Sequence, residues 1–172
     1  IWIGTRNGLA KYNQHTNNFT TYVTKGTSFG RPACNEIISL TQSSQGVLWA
    51  GTWYGGLARF NKETGRFRYY FGEGDTLTIP RIRTLFQRTA NSFHLGSDDG
   101  LYTFNPTTGE CILTDEEHAK ESIYACYQDR EGGFWIGTYF SGVSYLSPKH
   151  KDIEWYYSNG TKHSLSGNVI SQ

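Results

Sequence analysis

One short pattern occurs four times in this chain and constrains its fold more than any other feature. Each copy reads Trp or His, a small or apolar residue, Gly, and then Thr or Ser. The Trp or His positions are 2, 49, 94 and 135, which gives intervals of 47, 45 and 41 residues. Self-similarity at such a period predicts a repeat architecture in which each copy is one supersecondary unit.

Each repeat contains further segments with the composition of strands. The turns after the motif read Asn-Gly, Gly-Gly, Asp-Gly and Ser-Gly, and glycine at these turns favours tight hairpins. The predicted second strands are residues 9–12, 57–60, 101–104 and 143–146. Third strands are predicted at 19–22, 67–70, 111–114 and 153–156, after links that begin with the turn formers Asn13, Asn61, Asn105 and Ser147. Inner strands are predicted at 36–42, 81–87 and 122–128, and residues 168–172 are expected to begin another.

Four antiparallel strands in 41 to 47 residues match a β-propeller blade in size and strand count. The predicted fold is all-β, a propeller segment of about four four-stranded antiparallel blades. Stacked sheets would cover the repeated aromatic rings, and the Gly after each Trp is small where neighbouring backbone approaches. The predicted divisions are a partial blade at 1–35, blades at 36–80, 81–121 and 122–167, and the start of another at 168–172.

Composition and charge exclude several function classes. Aromatic residues make up 16% of the 172 residues, and the formal net charge is only +1. A balanced charge disfavours general nucleic-acid binding, and no apolar run is long enough to span a membrane. The three cysteines and five histidines lack the spacing of a zinc site, so neither a metal nor a cofactor is expected. The chain contains no Met, and we expect it to be a piece of a longer protein, cut from a larger ring rather than a closed four-bladed one.

The motif and its flanks resemble the two-component regulator propeller repeat. The resemblance is carried by Trp-Ile-Gly-Thr followed by Gly-Leu, by residues 129–138, and by the linkers at 75–77 and 164–170. It covers essentially the whole chain in four copies, of which the third is degenerate at His94, Ser97 and Cys111. Such repeats occur in periplasmic sensor regions of bacterial hybrid histidine kinases, especially those of gut Bacteroides. The resemblance implies seven-bladed propellers, a periplasmic location, glycan sensing, and a kinase domain outside this chain.

The turns after the motif carry the candidate binding residues. Two turns hold the aromatic pairs Trp53-Tyr54 and Tyr139-Phe140, and two hold Arg6-Asn7 and Asp98-Asp99. The repeat pattern does not require aromatic residues at these positions. A sugar stacks its CH face on an aromatic ring and forms hydrogen bonds with polar groups through its hydroxyls. Packing between blades or against another domain is the alternative role for the same side chains.

Loops before the inner strands are expected to reach the same end of the ring. They carry Arg31, Glu73, Asp75, Arg81, His163 and Asn168. The predicted ligand-binding set is Trp53, Tyr54, Tyr139, Phe140, Asp98, Asp99, Arg6 and Arg81. The pair Asp98-Asp99 is better explained as hairpin chemistry before Gly100 than as a cation site. The run Asp115, Glu116 and Glu117 is better explained as a solvated loop than as a catalytic acid pair.

No catalytic motif is present, so this chain is predicted to lack enzymatic activity. The expected function is an extracytoplasmic sensor that detects a glycan or similar ligand and relays it to a histidine kinase. The expected partners are an oligosaccharide, the rest of the parent sensor and a second copy in a homodimer, with no nucleic acid and no membrane contact. A non-catalytic scaffold for protein–protein interaction is the first alternative, and a propeller glycosidase or lyase is the second.

Overall fold

The structure, a computed structural model, describes residues 1–24, 35–72, 75–79, 81–114, 121–149 and 153–170. Within these ranges the regular secondary structure consists of fifteen β-strands, which form four sheets. Accordingly, the described ranges contain no helix with the length and apolarity needed to cross a membrane. The predicted all-β class is therefore confirmed.

Strand order follows chain order in every sheet. The first sheet has three strands, β1 (Trp2–Thr5), β2 (Gly8–Asn13) and β3 (Asn18–Tyr22). The second has β4 (Ile37–Gln42), β5 (Leu48–Thr52), β6 (Leu57–Asn61) and β7 (Arg66–Tyr70). The third has β8 (Ile82–Thr89), β9 (Ser92–Ser97), β10 (Gly100–Phe104) and β11 (Cys111–Leu113). The fourth has β12 (Ile123–Gln128), β13 (Phe134–Thr138), β14 (Val143–Leu146) and β15 (Ile153–Tyr156).

These strands agree with the predicted ones to within a residue or two, except at the end of the chain. Residues 168–170 are not in a strand, and residues 171 and 172 lie outside the described part. The backbone N–H of Ile170 donates to the carbonyl of Thr138 (3.0 Å), and the carbonyl of Asn168 accepts from Gly142 N–H (2.9 Å). The segment is thus held by the turn after β13 rather than by a strand ladder.

The chain divides into two compact units, residues 1–85 and 86–172. The first unit contains the first two sheets and the start of β8. Its core joins Leu9 of the first sheet to Ile37, Ala50 and Phe60 of the second. The ring of Trp2 lies 5.4 Å from that of Phe60.

The glycine of the repeated motif leaves room for a neighbouring segment that lies against it. A Cβ atom on Gly4 would lie 2.6 Å from Cγ2 of Ile37, and one on Gly51 would lie 2.1 Å from the carbonyl oxygen of Ile82. In the second unit a Cβ on Gly137 would lie 2.7 Å from Cγ2 of Ile170. The predicted approach of neighbouring backbone is confirmed at Gly51, whereas at Gly4 and Gly137 the nearest atoms belong to isoleucine side chains.

In the core of the second unit, Leu101 packs with Ile123 and Ile136. His94, at the Trp position of the degenerate repeat, is also buried, with its ring 4.9 Å from that of Phe134. Its Nδ1 lies 3.3 Å from the hydroxyl of Thr103. Burial, with the charge of Arg88 as the smaller cause, lowers the pKa of His94 from 6.5 to about 4. At neutral pH this side chain is therefore an uncharged packing group.

Two of the three cysteines lie in the described part, and both are free thiols. Burial raises the pKa of Cys111 and that of Cys126 to about 12. The thiolate is the reactive form of cysteine, so both side chains are expected to be inert near neutral pH. Cys34 lies outside the described residues.

A shared hydroxyl contact closes the hairpin after each repeated motif, and we call it the hydroxyl clamp. The Thr or Ser hydroxyl accepts a backbone N–H from the turn and donates to the carbonyl of the glycine that begins the next strand or directly precedes it. Hydroxyl-to-carbonyl distances are 2.8 Å (Thr5 to Gly8), 3.0 Å (Thr52 to Gly56), 3.1 Å (Ser97 to Gly100) and 3.0 Å (Thr138 to Gly142). These four glycines have φ between 70° and 129°, a region that side-chain-bearing residues rarely adopt.

Removing one clamp hydroxyl should destabilise the protein. Thr52→Val keeps the shape of a fully buried side chain but leaves the N–H of Gly55, now 2.7 Å from the hydroxyl, without that acceptor. We expect the free energy of unfolding, measured by urea denaturation, to fall by about 1–3 kcal/mol. Thr52→Ser, which imitates Ser97, should retain most of the stability, and Thr64→Val on the exposed β6–β7 link should change it by less than about 0.5 kcal/mol. Equal losses in Thr52→Val and Thr64→Val would contradict the clamp.

The lowered pKa of His94 predicts a loss of stability in mild acid. The unfolded chain binds a proton near pH 6.5, whereas the folded protein resists it until about pH 4. The free energy of unfolding should therefore fall as pH falls from 6.5 to 4, by up to roughly 3 kcal/mol. In His94→Phe this part of the pH dependence should vanish, while in His15→Gln, which alters an exposed histidine, it should persist. An unchanged pH profile in His94→Phe would contradict this assignment.

Candidate functional site

Among the four turns, the residues that differ in type and number are those between the clamp hydroxyl and the clamp glycine. Two residues lie there in the first and third turns, Arg6-Asn7 and Asp98-Asp99. Three lie there in the second and fourth turns, Trp53-Tyr54-Gly55 and Tyr139-Phe140-Ser141. The longer turns are the ones that carry the predicted aromatic pairs.

In the first unit, the second turn contacts two arginines, Arg81 just before β8 and Arg83 within it. The guanidinium Cζ of Arg81 lies 4.9 Å from the ring centroid of Trp53, and that of Arg83 lies 5.2 Å from it. Positions 81 and 83 are two apart in an extended segment, so both side chains leave the same face. We call Trp53, Tyr54, Arg81 and Arg83 the arginine–tryptophan cluster.

Within this cluster the two aromatic side chains differ in exposure. Trp53 is half-buried and contacts both guanidinium groups, whereas Tyr54 is 58% exposed, with its ring centroid 6.2 Å from that of Trp53. A cation over an indole ring is attracted by the π electrons, with a contribution of about 0.5–2 kcal/mol. Trp53 therefore packs against both guanidinium groups, and Tyr54 is the solvent-exposed aromatic ring of the cluster.

Arg6 reaches the same turn through Glu36. Its Nε lies 3.5 Å from Oε1 of Glu36, and the Arg6 side chain is 92% exposed. The carbonyl of Glu36 accepts the backbone N–H of Trp53 (2.9 Å). An ion pair this exposed adds little to stability, about 0–1 kcal/mol. Arg6 is thus a solvent-facing cation beside the turn rather than a structural group.

In the second unit, the fourth turn forms a neutral aromatic group. Tyr139 stacks on Tyr124 of β12, with centroids 4.9 Å apart and planes at 29°. Phe140 meets Tyr139 edge to face at 4.5 Å and is 69% exposed. The backbone N–H of Tyr139 donates to the carbonyl of Ser122 (2.9 Å). The exposed ring of Phe140 therefore projects from a turn fixed at both its hydroxyl clamp and its first residue.

The acidic turn, Asp98-Asp99, forms its described contacts through its backbone. The N–H of Asp99 donates to the hydroxyl of Ser97 (3.1 Å), and the carbonyl of Asp98 accepts from the hydroxyl of Ser122 (3.1 Å). Burial raises the pKa of Tyr102, and the charge of Asp99 adds to that shift. The described ranges contain no group of three or more His, Cys, Asp or Glu residues arranged to hold a metal ion. One of these contacts closes the hairpin, and the other joins the turn to Ser122, just before β12.

The predicted loop residues have mostly local roles in the described structure. A carboxylate oxygen of Asp75 accepts the N–H of Gly72 (2.9 Å), and the side-chain oxygen of Asn168 accepts the N–H of Ser158. His163 is exposed. The candidates Arg31, Glu73, Asp115, Glu116 and Glu117 lie outside the described residues.

Sequence reasoning missed Arg83 and Tyr124, which complete the two turn groups. Both lie in predicted inner strands, and the signal that could have revealed them is the alternation of strand side chains. Arg81 and Arg83 flank Ile82, which is fully buried, and Tyr124 follows the fully buried Ile123. Residues that alternate with such core positions face away from the core and toward the turns.

Comparisons with known proteins bear on the repeat and the fold. The family model described as two component regulator propeller matches residues 32–54 and 119–140. The extracellular domain of the hybrid two-component system BT4673 from B. thetaiotaomicron has a TM-score of 0.79 at 23% identity, over 98% of this chain and 22% of that one. The corresponding domain of BT3049 has a TM-score of 0.60 at 18% identity, over 98% and 28%. Virginiamycin B lyase from Staphylococcus aureus has a TM-score of 0.66 at 10% identity, over 94% and 52%.

No curated protein matches the sequence. The chain spans 22% and 28% of the length of the two B. thetaiotaomicron domains. At these identities the structural likeness shows the fold, and the four sheets are blades of a β-propeller. The family match adds the repeat type, so the resemblance predicted from the sequence is confirmed at two of its four copies: residues 32–54 and 119–140 match the two-component regulator propeller repeat.

Proposed function

We propose that this chain is part of the extracytoplasmic, periplasmic sensor region of a hybrid two-component signalling protein. In this proposal the chain detects a glycan or similar ligand at its turns, and the parent protein relays the event to a histidine kinase. The repeat type and the similarity to extracellular domains of such systems support the sensor role. The observation that carries the ligand contact is an exposed ring on a clamped turn in each unit, Tyr54 in the first and Phe140 in the second.

Exposed aromatic rings on these turns need a reason beyond folding. The hydroxyl clamp uses only a Thr or Ser and a Gly, and Arg-Asn or Asp-Asp occupies the equivalent positions in the two shorter turns. Tyr54 and Phe140 are therefore not required by the hairpin. An exposed ring on a rigid turn suits the apolar CH face of a pyranose, and stacking of this kind contributes on the order of 1 kcal/mol per ring. Polar and charged neighbours would bind the hydroxyl groups.

Signalling from such a site requires a difference in affinity between two states. A ligand shifts a conformational equilibrium only as far as it binds one state better than the other. The proposed readout is a homodimer of the parent protein whose kinase domains respond to that shift. In this proposal the turns of the chain contact the ligand, and the parent protein as a whole changes between the two conformational states. The ligand is bound and released without chemical change.

The aromatic site can be tested by removing the exposed rings. Tyr54→Ala and Phe140→Ala should each weaken binding of a neutral oligosaccharide by about fivefold or more, because each removes one stacking surface. Isothermal titration calorimetry would measure the affinity after a glycan array has identified a bound oligosaccharide. Tyr127→Ala and Phe19→Ala are matched controls, since they remove rings of equal exposure (61% each) from strands rather than turns.

The outcomes separate the three classes of function. Saturable binding without product, reduced in the turn variants and not in the strand variants, supports the sensor. Absence of binding to any oligosaccharide on the array would favour a protein-binding scaffold. Conversion of a bound oligosaccharide to product, followed by chromatography, would instead establish an enzyme.

A further inference from the structure

We propose that the outer edge of β7 is a docking site for an extended acidic segment of a partner protein, which adds to the second sheet as a fifth strand. The site consists of the backbone of residues 66–68 and of three arginines on one face of the sheet, Arg59, Arg66 and Arg68. It includes no residue of the clamped turns and does not depend on the proposed glycan site.

The second sheet ends at β7. Its strand order is β4-β5-β6-β7, so in the described part of the chain β7 pairs with a strand on one side only. The backbone N–H and C=O groups on the other side of such a strand are a template for pairing with another chain. No described residue forms a backbone hydrogen bond with that side of residues 66–68. The edge is therefore open to an added strand.

Three arginines lie beside this edge on the same face of the sheet. Arg66 and Arg68 are two residues apart in β7, and Arg59 of β6 is the cross-strand partner of Arg68, so the three side chains project to one side. All three are exposed, and no carboxylate of the described residues forms an ion pair with them. The other outer strands, β3, β11 and β15, contain no Lys or Arg. A basic outer edge thus distinguishes the second sheet from the other three.

The pairing of Arg59 with Arg68 favours an acidic neighbour. Like charges directly opposite each other in an antiparallel pair are destabilising. Each guanidinium lies over an aromatic ring, with Cζ of Arg59 5.9 Å from the centroid of Trp49 and that of Arg68 5.0 Å from the centroid of Tyr70. A guanidinium in this position still presents N–H donors at its edge, in a planar fork that matches a carboxylate. An acidic side chain placed beside them would offset the repulsion.

The spacing of the arginines matches the side-chain period of a strand. Two residues of an added strand, at positions i and i+2, would lie opposite Arg66 and Arg68 on the same face of the sheet. The side chain opposite Arg68 would also face Arg59 across two strand spacings, roughly 10 Å. The site therefore fits an extended segment with Asp or Glu at alternate positions. A second copy of β7 would instead place arginine against arginine, which disfavours self-pairing at this edge.

The core fixes β7 from the other face of the sheet. Phe67 packs against the core of the first unit, with its ring 4.9 Å from that of Phe60. Tyr69 packs there too, and its hydroxyl lies 2.7 Å from that of Thr24. Strand addition gives affinity through main-chain hydrogen bonds, and here the receiving strand is ordered before a partner arrives.

The charge of the first unit agrees with an acidic partner. Residues 1–85 contain ten Lys or Arg and four Asp or Glu, a net charge of +6. A net positive charge speeds the association of acidic partners and suppresses the association of basic ones. Charged side chains on an edge strand also oppose indiscriminate pairing, so the edge is selective.

Four peptides of about nine residues test strand addition on the whole 172-residue chain by fluorescence anisotropy. Each carries an uncharged fluorophore. The first alternates Glu with Thr, the second has the same composition with its Glu residues in one block, and the third has Gln in place of Glu. The fourth is the first with its central backbone nitrogens methylated. We expect the first to bind about tenfold more tightly than each of the others, with an affinity that falls as salt rises.

Two double variants locate the preference. Arg66→Gln with Arg68→Gln should reduce the preference for the alternating peptide over its Gln form to about twofold or less. Lys11→Gln with Arg88→Gln is the matched control, because it removes the same charge from exposed side chains elsewhere, and Lys11 also lies over an indole ring (5.5 Å). Arg59→Gln, which leaves β7 unchanged, should cause a smaller loss. Urea denaturation would confirm that each variant folds.

Each result decides the matter. Loss of the preference in the Arg66 and Arg68 variant, with retention in the control, supports the inference. Equal loss in both double variants overturns it, because overall charge would then explain the binding. Equal binding of the alternating, block and methylated peptides overturns strand addition. Failure of all four peptides to bind overturns the site, and binding of tetragalacturonate in that case would assign the arginines to an anionic sugar. None of these outcomes bears on the exposed rings of the clamped turns.

Discussion

The hydroxyl clamp is the interaction on which the rest of this structure depends. It fixes the end of one strand and the start of the next through a hydroxyl and a glycine of positive φ, whatever lies between them. In two repeats the backbone N–H of the same glycine also forms a hydrogen bond with the segment that follows the sheet. The N–H of Gly8 donates to the carbonyl of Asn35, just before β4, and the N–H of Gly142 donates to the carbonyl of Asn168. One turn thus sets both the hairpin and the position of the following segment.

The degenerate third repeat shows which parts of the motif are indispensable. Ser97 replaces Thr and keeps the hydroxyl, so the clamp survives with a 3.1 Å contact to Gly100. His94 replaces Trp and places a buried ring beside Phe134. Burial lowers the pKa of this imidazole, so the ring packs there in its uncharged form. The hydroxyl and the glycine are retained in all four copies, whereas the ring can change in size and chemistry.

Much of the fold could be predicted because it follows from local chemistry. Repeat spacing and Gly turns identified the strands, and the Asx turns at Asn13, Asn61 and Asn105 form as their residue types suggest. The site could be predicted only in part. Trp53 and Tyr54 look equivalent in sequence, yet one is covered by two guanidinium groups and the other is open. That difference depends on how β8 packs against the second sheet, which side-chain periodicity within one strand does not determine.

The seating of Arg81 and Arg83 on an indole ring has a consequence for conformational entropy. A free arginine side chain carries about 2 kcal/mol of rotamer entropy, and immobilising it on binding normally reduces affinity by a large part of that amount. Here the start of β8 is anchored through the buried Ile82, and Trp53 restricts both guanidinium groups in the folded protein. Most of that ordering therefore takes place during folding. A partner of these two side chains would meet a surface already arranged, and little of its interaction energy would be consumed in arranging it.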